Sequence, residues 1–181
     1  MLYPLPAVMV SCRREGERPN IITVAWTGTV CTNPAMLYIS VRPERYSYPI
    51  LRETGEFVVN LTTEALTGAA DFCGVRSGRD EDKFRAMNLH EEPSQFVSAP
   101  GIAESPVNIE CRVTQVLELG SHHMFLAEVL AVRIDEKYLD KNGKFHLNQA
   151  KLLAYSHGEY RKIGEILGTF GYSVKKRRKR G

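Results

Sequence analysis

Two long segments in the second half of the chain constrain the fold more than any other feature. PVNIECRVTQVLEL and MFLAEVLAVRID are joined by only GSHH, residues 120–123. Both are rich in Val, Ile, Leu and Phe, which predicts two long strands meeting at a tight connection. The first half reads mostly as strands too. PAVMVSCRR, the polar turn REGERPN and NIITVAWTGTV predict a hairpin, MLYISVRP a third strand ended by Pro43, and EFVVNL a fourth. Helical segments are short. YPILRET is expected to form one, with Ser47 as cap, Pro49 in its first turn and Gly55 as its stop. TEALTGAADFCG forms another, opened by Thr63, and VRSGRDEDKF reads as a polar loop. The C-terminal part reads as a shorter strand pair around DKNGKF, then a mixture of loop and helical turn in LLAYSHGEYRKIGEILGTFG. Helices that do not alternate with strands argue against a doubly wound parallel sheet. The expected class is mainly β: a closed antiparallel barrel with a few short covering helices.

Length and charge set the frame around that barrel. The chain of 181 residues is long enough for one domain with a sizeable core. No apolar run approaches twenty residues, so no membrane span is expected. MLYPLPAVMVSCRR lacks a basic leader before its apolar part, so a signal peptide is not expected. Cys12, Cys31, Cys73 and Cys111 form no CxxC pair and match no common zinc spacing. They read as reduced cytoplasmic thiols, and no metal site is expected. The net charge of +3 is carried by the tail, KKRRKR, Lys175 to Arg180; without it the count is 18 basic against 21 acidic residues. Residues 1–174 are therefore read as the domain and 175–181 as a disordered basic tail. Such a tail either aids solubility or binds nucleic acid or anionic lipid without specificity. No finger, RNP or helix-turn-helix pattern supports specific nucleic-acid recognition.

Four stretches could carry chemistry. AWTGTVCTNP, residues 25–34, brings hydroxyls and amides to the end of a strand; it suits the polar edge of a flat heterocycle, or is a Thr-capped corner. SVRPERYSY, residues 40–48, sets Arg42 and Arg45 beside Ser47 at a helix start, which suits a phosphate monoester, or is an exposed turn with solvated arginines. GVRSGRDEDKF contributes Lys83, held by the apolar Phe84 beside it, or is a solvated loop. GSHHMFLAEV places His122 and His123 side by side; neighbours on a strand point to opposite faces, so one faces a cleft and the other solvent. No GxGxxG, P-loop or HExxH is present.

Taken in order, NIITVAWTGTVCTNP, YISVRPERYSYPILRETGEFVVNL, DFCGVRSGRDEDKF, ECRVTQVLELGSHHMFLAEV and GEYRKIGEILGTFG resemble the flavin reductase-like family, and within it flavoredoxin and its relatives. The resemblance covers nearly the whole chain except the basic tail. It implies a six-stranded antiparallel Greek-key split barrel, a homodimer, and one FMN per chain near the dimer interface. It maps Trp26, Thr27, Gly28, Thr29, Thr32 and Asn33 to the isoalloxazine ring, and Ser40, Val41 and Arg42 along the flavin. It maps Arg45 and Ser47 to the phosphate, Lys83 to the cofactor and Tyr155 to the ring face. His122, preferred over His123, would lie where a nicotinamide stacks.

The expected activity is that of an NAD(P)H:flavin oxidoreductase. Hydride would pass from NADH or NADPH to flavin N5, and electrons onward to a small-molecule or protein acceptor. The competing expectation is a flavoredoxin-type FMN electron carrier without steady NAD(P)H oxidase activity. A third is a binding module that works through the basic tail.

Overall fold

The computed structural model describes residues 2–174; the basic run Lys175 to Arg180, read above as a tail, lies outside the described residues. The chain opens with β1 (Leu5–Pro6), β2 (Val8–Cys12), β3 (Asn20–Val24), β4 (Thr27–Thr32) and β5 (Ala35–Val41). Helix α1 (Ser47–Thr54) leads to β6 (Glu56–Leu61), then to α2 (Thr67–Val75) and α3 (Lys83–Ala86). Two short strands follow, β7 (Glu91–Glu92) and β8 (Gly101–Ile102). The long hairpin β9 (Val107–Leu119) and β10 (His122–Ile134) comes next, and β11 (Leu153–Ser156) and β12 (Glu159–Lys162) end the strand series.

The main sheet has the order β3-β2-β6-β9-β10-β5-β4, and its neighbours are antiparallel. Its two ends, β3 and β4, are one chain path broken only at Ala25 and Trp26, where the Ser40 N–H donates to the Trp26 carbonyl at 2.8 Å. One bent strand thus pairs with β2 by its first half and with β5 by its second, which closes the barrel. Seven strands in the sheet are six chain paths around it. Consecutive β5 and β6 are not neighbours; α1 carries the chain between them, as a Greek-key connection does.

Strand alternation sorts the side chains. Val8, Val10 and Cys12 of β2 join Ile22, Val24, Ile39, Phe57 and Phe125 in the barrel core, while Met9 points outward into a second cluster. That cluster packs the outer face of β2 and β3, through Met9 and Ile21, against Ala69, Ala70 and Cys73 of α2 and Phe84 of α3. Truncating a fully buried core ring such as Phe125 to Ala would cost about 3–5 kcal/mol.

Local expectations differ from the structure in four places. Ser47 is the first residue of α1 rather than its cap; its hydroxyl accepts from Asn20 Nδ2 at 2.7 Å, a bond spanning 27 residues. The loop after α2 contains α3, capped by the Asp82 side chain, which accepts from the Arg85 N–H. The terminal strand pair is β11 with β12, and the DKNGKF segment makes a single bridge, Leu139 to Phe145. Both histidines lie inside β10 rather than in its turn, which Gly120 makes with a φ of 50°. The stop at Gly55 is as expected, with a φ of 65° and its N–H donating to the Leu51 carbonyl.

Candidate functional site

Two cavities meet at the rim of the barrel where β3, β5, α2 and the start of β10 converge. The larger is a cleft of about 400 Å³, and the smaller a recess of about 110 Å³. Arg45, Ile22, Gly74 and Val75 line both, so the two form one elongated site. Gly74 lets α2 lie close to β3 there: a Cβ on it would stand 3.3 Å from that of Thr23.

Trp26, Ser40, Val41, Arg42, His122 and Tyr155 line the cleft. Trp26 sits at the break between β3 and β4, and its indole stacks on His122 with ring centres 5.8 Å apart and planes within 7°. Burial, then the charges of Arg42 and Arg45, hold the His122 pKa below the ordinary imidazole range, against the opposing pull of Glu44. Tyr155 and Tyr160 bring aromatic surface from β11 and β12. The Tyr160 hydroxyl donates to Asp71 of α2 at 3.3 Å; burial, followed by the Asp71 charge, pushes its pKa up to about 12. The cleft therefore offers flat aromatic surfaces interspersed with polar groups, which suits a planar aromatic ligand.

The recess has different chemistry. Arg45, Arg76 and Lys83 line it against a single carboxylate, Glu44, together with Ser47, Ser77 and Asn20. Lys83 is only 3% exposed, and its ammonium donates to the carbonyls of Ile21 at 2.6 Å and Cys73 at 2.8 Å. It has no carboxylate partner among the described residues. Burial draws its pKa down to about 8; the Cys73 and Cys12 thiols oppose the shift and Arg45 adds to it. Arg42 and Arg45 make no side-chain hydrogen bond or ion pair among the described residues. A buried cation without a counter-charge is costly, so a recess holding one beside free guanidinium groups suits an anion. Gly78 closes its wall: a Cβ there would lie 2.0 Å from Asn20 Oδ1 and 2.7 Å from the Tyr46 ring. The first turn of α1 offers fewer free amides than expected, because the Tyr48 N–H donates to the Arg45 carbonyl at 2.9 Å.

The site thus gathers Trp26, Ser40, Val41, Arg42, Arg45, Ser47, Lys83, His122 and Tyr155 from the sequence-derived set. It does not gather Thr27, Gly28, Thr29, Thr32 and Asn33. The first four of these belong to β4, which runs away from the cleft at the sheet edge, and Asn33 lies in the turn to β5. Thr27 Oγ1 donates to the Tyr38 carbonyl at 2.6 Å, and a Cβ on Gly28 would meet the Tyr38 ring at 3.1 Å. Thr27 and Gly28 thus take part in strand pairing and packing. Asn20, Asp71, Gly74 and Tyr160 line the site without having been singled out. His123 turns away from the cleft as alternation requires. It meets Tyr48 rather than solvent.

Comparison with known proteins agrees with this geometry. A family model described as flavin reductase like domain matches residues 1–164. An uncharacterized protein of Archaeoglobus fulgidus is 32% identical over 158 residues, covering 87% of each chain. Among solved structures, flavoredoxin of Desulfovibrio vulgaris (Miyazaki F) superposes with a TM-score of 0.89 at 31% identity, over 97% of this chain and 95% of that one. Flavoredoxin from Methanosarcina acetivorans gives a TM-score of 0.86 at 28% identity, again over 97% and 95%.

Proposed function

We propose, from the premise that this chain belongs to the flavin reductase like domain family, that it binds FMN across the two cavities and works as an NAD(P)H-dependent flavin oxidoreductase. The observation that carries the reading is the pairing of an aromatic-lined cleft with a cationic recess at one end. A ring with a phosphate on a short polyol has that same asymmetry. Arg45, Ser47 and Lys83 would hold the phosphate, and Lys83 would gain the anion its buried ammonium lacks. Trp26 and Tyr155 would offer ring surfaces, and Ser40 to Arg42 would run along the flavin edge. When bound, FMN supplies the hydride-accepting N5 and the capacity to pass electrons on. The protein's own part is orientation and charge: Arg42 and Arg45 favour negative charge in the cleft, and His122 holds the place where a nicotinamide ring stacks. No general acid or base is required of the chain.

Similarity to two flavoredoxins supports a second reading, an FMN electron carrier without steady NAD(P)H oxidation. Anaerobic rapid mixing of the flavin-loaded protein with NADH and with NADPH separates them. The reductase reading expects loss of the flavin band within seconds with at least one donor. Persistence of the band for many minutes with both leaves the carrier.

A homodimer belongs to the same proposal. Its support is the segment after β12, where Ile166, Leu167 and Phe170 stand exposed among the described residues. Sedimentation at micromolar concentration should give twice the chain mass, and a monomer would remove the dimer. The acceptor is a small molecule or a redox protein. No helix among the described residues is long and apolar enough to cross a membrane.

A further inference from the structure

The two lobes share Ile22, Arg45, Gly74 and Val75, but β10 reaches only the cleft and α1 only the recess, and one hydrogen bond ties those two elements together. His122, in the cleft, and His123 are consecutive on β10 and point to opposite faces. Ser47, in the recess, and Tyr48 are consecutive at the start of α1. The other member of each pair meets its counterpart on the core side: Tyr48 Oη lies 2.7 Å from His123 Nδ1. The rings cross edge-on at 5.3 Å and 74°, and Tyr48 also stands edge-on to the fully buried Phe125 at 5.7 Å. His123 is in register with Val41 of β5, the cleft residue just before Arg42. Among the described residues this is the only side-chain hydrogen bond between α1 and β10.

We infer that Tyr48 and His123 are positioning residues: their hydrogen bond is a strut that fixes the recess relative to the cleft. The inference rests on the flavin reading above and adds the device that sets the span between its two ends. A ligand that fills both lobes binds as two linked groups, and its affinity depends on the lobes being held at the matching separation. A ligand that fills the cleft alone does not sense that separation. The strut therefore governs preference for a phosphorylated flavin over the same ring without phosphate.

The test compares FMN with riboflavin by calorimetry on the full chain. Tyr48→Phe keeps the ring packing and removes the hydroxyl. It should weaken FMN about 10-fold and riboflavin less than about 2-fold, because only the bridging ligand loses effective concentration. His123→Ala should do the same, whereas His123→Asn, whose side-chain oxygen can replace Nδ1 as acceptor, should keep FMN within about 2-fold of wild type. If Tyr48→Phe does not fold, the two His123 variants carry the test. An unchanged FMN affinity, or an equal loss for both flavins, overturns the strut. Nitrogen NMR of the ligand-free protein should show His123 protonated on Nε2 with Nδ1 accepting, and the reverse tautomer also overturns it. A wild type that binds neither flavin sinks the flavin reading instead, which these outcomes keep separate.

Discussion

Two clusters of buried polar side chains flank β2 and β3, and they are satisfied to very different degrees. The first centres on Asn60 of β6. Its Nδ2 donates to the Met9 carbonyl and to Ser11 Oγ, each at 3.0 Å, and its Oδ1 accepts from the Ile102 N–H at 2.9 Å and Asn108 Nδ2 at 2.7 Å. The Ser11 hydroxyl in turn donates to the Pro100 carbonyl, so the cluster pins the segment before β8 to the barrel. Nearby Glu110 is also buried, and its carboxyl oxygens accept the N–H groups of Gln95 and Phe96. The second cluster surrounds the recess. Among the described residues the buried Lys83 has two carbonyls and no counter-charge, and the exposed Arg45 at the mouth of the recess has no side-chain partner. A polar cluster that closes on itself holds the fold, while one left with uncompensated charge facing a cavity is arranged for something that comes from outside.

That difference can be broken first at Asn60. Asn60→Leu strands the Ile102 amide in the interior and removes the bonds Asn60 makes to Asn108, Ser11 and the Met9 carbonyl, so it should lower unfolding free energy by about 3 kcal/mol. Urea denaturation measures it, and FMN affinity of the folded fraction should stay within about 2-fold. Lys83→Met should behave in the opposite way. Relief of a desolvated charge offsets the loss of two carbonyl bonds, so stability should move by less than about 1 kcal/mol. FMN affinity should fall about 100-fold, the equivalent of about 2.7 kcal/mol. Equal loss of stability in the two variants would erase the distinction.

pH sharpens the same contrast. Lys83 in the free protein loses its proton near pH 8, and an anion in the recess requires the charged form. Above that pH, binding must take up a proton, so affinity should fall by up to about 10-fold per pH unit until the lysine of the complex itself titrates. Below pH 8 this group leaves affinity flat. Lys83→Met should remove the alkaline fall, and a persistent fall would assign it elsewhere. The smallest expected effect is at the cleft. Trp26 is the only tryptophan and stacks on His122, so its emission should be quenched when that imidazole is protonated. The midpoint should lie below the ordinary imidazole range, and Arg42→Gln should raise it by removing one of the charges that depress it.

Much of the barrel was legible in the sequence because strand alternation is a local signal. The β9–β10 hairpin, the β2–β3 pair and the Gly55 stop all follow from neighbours in the chain. What escaped was set by distant partners. Ser47 has the chemistry of a cap, but a long-range bond to Asn20 takes its hydroxyl. The Thr-rich run looks like a ligand turn, yet past the break it pairs with β5 at the sheet edge, and from the whole stretch Ala25 and Trp26 line the cleft. Asp82 signals the start of α3, but nothing local shows that Lys83 is buried beneath α2. Asn20, Gly74 and Tyr160 reach the site from three separate segments, and no spacing marks them as a set.

The most direct measurement of the central claim is side-by-side titration of FMN and riboflavin into the ligand-free wild-type protein. The account predicts one FMN per chain and at least about 10-fold tighter binding of FMN than of riboflavin, because only FMN places an anion beside Lys83, Arg45 and Ser47. Equal affinity for the two, or no binding of either, would contradict it.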